Sequence, residues 1–193
     1  MLFASVATGA VGAALAYEEL FFFEVALLRR RRALAATRPR VRAAQARLRD
    51  ALIQRLPFTL TADQVKVVGE IETDLWSGVP MARLLQGDVG CGKTLVALLS
   101  IMLVVDAGEQ AAFLAPTELL ARQHAENAAR LLEPLGVRIA FLSGSVTGDP
   151  RGLLLEALNA GEVDLLFGTH ALFSEEVTFK DLGLVVVDEQ HRF

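Results

Sequence analysis

The sequence predicts an α/β fold, a parallel sheet flanked by helices and preceded by a helical arm, on three observations. After Pro57 short apolar runs alternate with helical stretches, the pattern of a buried parallel sheet wrapped by its crossover helices. Glycines stand where those helical stretches should stop, at Gly78, Gly108, Gly136 and Gly161, because glycine accepts the left-handed conformation that ends a helix. A glycine-rich turn from Gly87 to Thr94 joins an apolar run to a helical one. With 193 residues, 53% hydrophobic and 22% charged, the chain is long enough for one domain with a sizeable core plus an appendage. Disorder is excluded by that composition, and an intrachain disulfide scaffold by the single cysteine, Cys91. A lone cysteine fits a reducing cytoplasm.

The elements follow in order. Met1 to Tyr17 is uncharged, yet it lacks the basic start of a secretory signal. It is also diluted by Thr8, Gly9 and Gly12 and stopped by Glu18-Glu19, short of the roughly 20 apolar residues of a spanning helix. An atypical edge of a larger protein is the expectation for residues 1–16. Glu18 to Arg32 runs from acidic through apolar to basic, which complements a helix dipole at both ends. A second helix is expected over Val41–Arg55, closed by Pro57. Its arginines at 40, 42, 47, 49 and 55 read first as a solvated face and second as contacts to nucleic-acid phosphates. Residues 1–57 thus form a helical linker arm, and residues 58–193 a domain. In that domain strands are predicted at Ala82–Gln86, Ala111–Ala115, Arg138–Leu142, Asp164–Phe167 and Leu184–Val187. Helices are predicted at Thr61–Ser77, Lys93–Ala107, Glu118–Leu132 and Arg151–Asn159. The arm carries ten Lys/Arg against four Asp/Glu and the domain nine against nineteen, for a net charge of −4. An acidic domain can still hold phosphates on one local basic face, so the balance excludes no polyanionic partner.

The chemistry concentrates at two places. Gly87-Asp88-Val89-Gly90-Cys91-Gly92-Lys93-Thr94 satisfies the phosphate-loop spacing G-x-x-x-x-G-K-[ST]. Its glycines let backbone N–H groups close around a phosphate at a helix N-terminus, Lys93 reaches the β- and γ-phosphates, and Thr94 binds Mg²⁺. Leu184 to Val187 reads as a buried parallel strand ending in Asp188-Glu189. That places two carboxylates at the carboxyl edge of the sheet, Asp188 to hold Mg²⁺ and Glu189 to polarise the water that attacks the γ-phosphate.

These residues resemble the superfamily-2 helicases and, within them, the RecG family of branch-migrating DNA helicases. The phosphate loop resembles helicase motif I, and Asp188-Glu189-Gln190-His191-Arg192-Phe193 the RecG form of motif II. Leu56 to Thr61 followed by Gln64 is similar to the Q motif, which makes Gln64 the adenine reader by resemblance. Ala115 to His124 resembles motif Ia, with Thr117 also a good helix N-cap. Ser143-Gly144-Ser145 and Gly168-Thr169-His170 follow the strands at 138–142 and 164–167. By resemblance, Pro116, Thr117, Ser143, Gly144, Thr169 and His170 line one edge and hold the sugar-phosphate backbone of DNA. Gln190, His191 and Arg192 would couple the nucleotide state to DNA and to a second lobe. The transcription-repair coupling translocases share GDVG-x-GKT and GTH but typically have Glu at the position of Gln190.

The resemblance covers about residues 15–193 and implies a RecA-like first motor lobe of an ATP-dependent helicase or translocase that uses ATP and Mg²⁺. Its implied setting is the nucleoid of the cytoplasm, without a membrane. Implied partners are branched or forked DNA, a second motor lobe and a wedge domain of the same protein, and single-strand-binding protein. No sequence for motif III or a second lobe follows Phe193, so the chain alone is expected to hydrolyse ATP very slowly and to unwind nothing. A non-catalytic nucleotide-binding switch module is the alternative from another class.

Overall fold

Residues 46–78 and 80–189 are described in the computed structural model. Two compact units divide the chain. Of the described residues, one unit holds 74–78 and 80–82 and the other 46–73 and 83–189. In the first, the last turn of a helix closes where the Ser77 N–H and hydroxyl both donate to the Asp74 carbonyl, at 3.2 and 2.7 Å. The helix expected over Glu18–Arg32 and residues 41–45 lie outside the described residues.

The second unit carries the sheet. Its helices are α1 (Arg47–Arg55), α2 (Ala62–Trp76, whose last three residues belong to the first unit), α3 (Lys93–Asp106), α4 (Glu118–Leu132) and α5 (Asp149–Ala160). The strands are β1 (Gln110–Leu114), β2 (Ile139–Leu142), β3 (Leu165–Gly168) and β4 (Leu182–Val187). All pairings are parallel, in the order β2-β3-β1-β4. The central strands β1 and β3 are buried throughout, as expected of strands covered on both faces. Phe113 and Phe167 stack within them at a centroid distance of 5.1 Å. One polar side chain lies in this core without cost: Gln110 donates to the Leu158 and Val163 carbonyls and accepts from Asp181 N–H, so both ends of its amide are satisfied.

α2, α3 and α4 start and stop within one residue of where the sequence places the signals, whereas α1 starts at Arg47 behind Ala46 and α5 starts two residues early, at Asp149. α3 is apolar on nearly every side, and eight of its residues, Val96 and Leu98 to Val104, are buried, the mark of an interior helix. Its last residue, Asp106, caps another helix: the carboxylate, 1% exposed, accepts from Arg47 N–H at 2.7 Å and from Leu48 N–H. α1 needs this because its own N-cap, Ala46, offers no side-chain acceptor. α1 therefore packs along α3. Gly136 and Gly161 end their elements at φ +83° and +78°, as left-handed stops should. Among the described residues no helix is long and apolar enough to cross a membrane.

Two expectations need correction. Ala82–Gln86 is extended but joins no ladder, so the described sheet has four strands rather than five. Its large apolar content is the adjacent pair Leu84-Leu85, and neighbours in an extended chain face opposite ways; Leu84 is 66% exposed. β4 is not buried on both faces: among the described residues it pairs with β1 alone, at the edge of the sheet, and Val185 and Val187 are exposed. Of the described arginines expected to form a solvated face, Arg47 and Arg55 are exposed and Arg49 is half-buried. Arg49 forms ion pairs with Glu72 of α2 and with Asp50, and Arg47 pairs with Asp106.

Candidate nucleotide site and strand-end rim

The phosphate loop is built on two left-handed glycines, Gly90 at φ +81° and Gly92 at φ +88°, a conformation that costs other residues about 1–2 kcal/mol. Between them the Cys91 N–H donates to the Asp88 carbonyl at 3.2 Å, and α3 starts where Val96 N–H reaches the Gly92 carbonyl at 3.1 Å. Lys93 folds back over this turn, its Nζ donating to the carbonyls of Gly87 at 2.7 Å and Asp88 at 2.9 Å. The ammonium thus sits across the loop mouth on two neutral acceptors. Gly87 also permits close packing, since a Cβ there would stand 2.7 Å from Cys91 Sγ. Val89 and Cys91 are exposed, and Thr94 in the first turn of α3 is half-buried.

Gln64 is placed against this loop by its own helix start. Thr61 and Gln64 form a capping box: Gln64 Oε1 accepts from Thr61 N–H at 2.9 Å while Thr61 Oγ1 accepts from Gln64 N–H at 3.2 Å. The amide nitrogen Nε2 then donates to the Cys91 carbonyl at 3.0 Å. The side chain therefore fastens the start of α2 to the phosphate loop. A Cβ on Gly92 would come within 2.5 Å of Nε2.

In a parallel sheet all carboxyl ends lie along one edge, and β4 brings Asp188 there. Its N–H continues the ladder to the Leu114 carbonyl at 2.8 Å, and its Oδ2 lies 2.9 Å from Nε2 of His124 on α4. Glu189 follows with a left-handed backbone, φ +52°, which turns the chain at the strand end. Gln190, His191 and Arg192 lie outside the described residues.

The rim predicted to meet DNA lies at the ends of β1, β2 and β3. Thr117 caps α4, its Oγ1 accepting from Leu120 N–H at 3.3 Å. Thr117, Gly144 and His170 are exposed and Pro116 is half-buried, whereas Ser143 and Thr169 are buried. The Ser143 hydroxyl is engaged with that of Ser145 at 2.7 Å, and Ser145 donates to Glu118 Oε1 at 2.7 Å. Hydrogen bonds from Ser145 first, then Arg122 and Ser143, hold the Glu118 carboxyl below the usual range. Arg122 bonds the same Glu118 oxygen and stacks over the Phe141 ring, 4.6 Å from its centroid.

The donor chemistry suits a hard cation held mostly by phosphate and water. Among the described residues no three His, Cys, Asp or Glu side chains cluster as an all-protein metal site, and the ligands expected from the sequence, Thr94 and Asp188, would offer one hydroxyl and one carboxylate. That sparse oxygen set matches Mg²⁺, which keeps several waters and binds through one or two protein groups plus nucleotide phosphates.

Two features escaped the sequence reading. His124 is one; its signal is its spacing, three residues after Ala121 and four before Ala128, both on the buried face of α4. The other is an apolar groove of about 510 Å³ lined by Ile53, Leu56, Pro57, Phe58, Thr59, Leu60 and Val65. It directly precedes the helix that carries Gln64, and the exposed Phe58 and Val65 lie on its wall.

Parallel sheet, flanking helices and a phosphate loop at a helix N-terminus define a RecA-like lobe. The chain belongs to the DEAD/DEAH box helicase family, whose model matches residues 61–193. It is 62% identical over 138 residues to the ATP-dependent DNA helicase RecG of Treponema pallidum, a match covering 72% of this chain and 20% of that protein. It is 53% identical over 149 residues to the RecG of Pasteurella multocida, covering 77% and 22%. To the RecG of Aquifex aeolicus it is 45% identical over 178 residues, covering 92% and 22%. The chain spans about a fifth of the length of these relatives. In structure it is similar to the yeast DEAD-box splicing factor Prp28, with a TM-score of 0.50, 16% identity, and coverage of 82% of this chain and 40% of that one; this likeness bears on the fold.

Proposed function

We propose that the chain is the first motor lobe, residues 58–193, with part of the preceding linker arm, residues 1–57, of an ATP-dependent DNA helicase that remodels branched junctions and stalled forks. The observation that carries the reading is a formed phosphate loop, closed by Lys93, in the same unit as a strand-end Asp188-Glu189 pair. The RecG names of the relatives support DNA as the track and ATP as the fuel.

The roles follow from where the side chains stand. Lys93 exchanges the Gly87 and Asp88 carbonyls for the β- and γ-phosphates, trading neutral acceptors for charged ones, which roughly doubles the strength of each bond. Backbone N–H groups of the loop and of the first turn of α3 would close on the phosphates, aided by the N-terminal potential of α3. Bound Mg²⁺ supplies neutralisation of the phosphate charge, and Thr94 and Asp188 would hold it. Glu189 would accept the proton of the attacking water. The apolar groove around Phe58 offers a wall for the flat face of a purine beside Gln64. Thr117, Gly144 and His170 present the exposed part of the strand-end rim to a sugar-phosphate backbone, and Gln190, His191 and Arg192 would carry the nucleotide state to DNA.

Contacts of that kind are sensitive to salt and indifferent to base sequence. The test is ATP hydrolysis by the intact protein that carries this lobe, with forked and with linear duplex DNA of equal length. Forked DNA should stimulate more strongly, and stimulation should fall with added salt. Equal stimulation by both DNAs, or none, would overturn the assignment to branched DNA.

A further inference from the structure

His124 is not one of the phosphate-loop or motif II residues, and no role follows for it from the reading above, on which the present inference rests. Its Nε2 lies 2.9 Å from Asp188 Oδ2. A carboxylate only accepts hydrogen bonds, so Nε2 carries the proton and donates. Both partners are sheltered, at 18% and 26% side-chain exposure. The imidazole is held from behind: its ring packs on Phe113 at a centroid distance of 5.1 Å, and Phe113, 1% exposed, is itself stacked on Phe167 in the core. Asp188 is fixed at its backbone by the bond to Leu114. One oxygen of the carboxylate is thereby tied to a rigid donor, which restrains rotation of the carboxylate.

We propose that His124 is a positioning residue that fixes the Asp188 carboxylate for the metal–nucleotide complex and ties that carboxylate to the helix whose N-terminus forms part of the strand-end rim. α4 is the link: His124 lies seven residues, about 10 Å of helix, after Thr117, the cap at the rim. A displacement of the α4 N-terminus would thus move the donor that orients Asp188. Partners that orient a metal-binding carboxylate typically change metal affinity by about 10–100-fold when removed.

The experiment compares the chain with its His124→Leu and His124→Gln variants, each shown to be folded by circular dichroism. Leu removes the donor, whereas the Gln side-chain amide restores an N–H near the position of Nε2. ADP binding is first measured in EDTA, then Mn²⁺ is titrated onto the ADP complex and followed by electron paramagnetic resonance. Metal-free ADP affinity should stay within about twofold in all three proteins, because Asp188 acts through the metal. Mn²⁺ affinity of the complex should fall at least about tenfold in His124→Leu and recover to within about threefold in His124→Gln. Unchanged Mn²⁺ affinity in a folded His124→Leu would overturn the proposal, as would a loss in His124→Gln equal to that in His124→Leu. Absence of ADP binding by the unmodified chain would instead refute the nucleotide-site reading, and the inference with it.

Discussion

Replacing Gly92 by alanine strikes the phosphate loop in two separable ways. Gly92 has φ +88° and ψ 26°, so an alanine there carries a left-handed penalty of about 1–2 kcal/mol. The new Cβ also stands 2.5 Å from Gln64 Nε2, closer than packing allows. Gln64 is flexible enough to move away, but doing so gives up its bond to the Cys91 carbonyl, about 0.5–1.5 kcal/mol. The total is about 1.5–3.5 kcal/mol. Urea unfolding followed by far-ultraviolet circular dichroism reads it directly: at a slope of about 2–3 kcal/mol per molar urea, the midpoint should drop by about 1 M. The same substitution in a Gln64→Ala background should cost only the left-handed penalty, since nothing remains to displace. An identical cost in both backgrounds, within about 0.3 kcal/mol, would refute the packing of Gln64 on the loop.

Two further outcomes are expected. Asp106→Ala removes the acceptor that caps α1 from the end of α3 and should destabilise the chain by about 1–2 kcal/mol in the same urea assay. Asp106→Asn keeps an acceptor and should recover most of that; equal losses for both would contradict capping. Ser145→Ala removes the principal hydrogen bond that depresses Glu118, so the carboxyl should titrate higher in a carbon-detected NMR titration. A depressed folded-state carboxyl stabilises the fold above its unfolded pKa of about 4.3 and loses that contribution as pH falls through the lower folded value. The variant should accordingly show a weaker acid dependence of stability, and an unshifted Glu118 would count against the bond.

Much of this molecule can be read along the chain because its signals are local. Left-handed glycines end the helices at Gly136 and Gly161, Thr117 opens α4, and apolar runs mark β1 to β4 within two residues of their observed bounds. The phosphate loop is equally local, because spacing and chemistry sit in eight consecutive residues. What escaped depends on partners far apart in sequence. Ala82–Gln86 has a strand-like composition, but a strand exists only where a neighbour's backbone completes the ladder. β4 is apolar enough for a central place, yet its edge position follows from the sheet order. His124 meets Asp188 across 64 residues, and only the helical spacing of Ala121, His124 and Ala128 hints that it faces inward. The sequence marks Gln64 only by its resemblance to an adenine-binding residue, while its capping box and its bond to Cys91 emerge from the geometry.

The most direct measurement is calorimetric titration of the chain with Mg²⁺–ATP and Mg²⁺–ADP, beside Lys93→Ala, with circular dichroism to establish that both proteins are folded. A phosphate loop closed by Lys93 predicts saturable one-to-one binding of both nucleotides by the unmodified chain, weakened at least about tenfold, or about 1.4 kcal/mol, in the variant. A folded chain that binds neither nucleotide, or a folded Lys93→Ala that binds both as tightly, would contradict the nucleotide site described here.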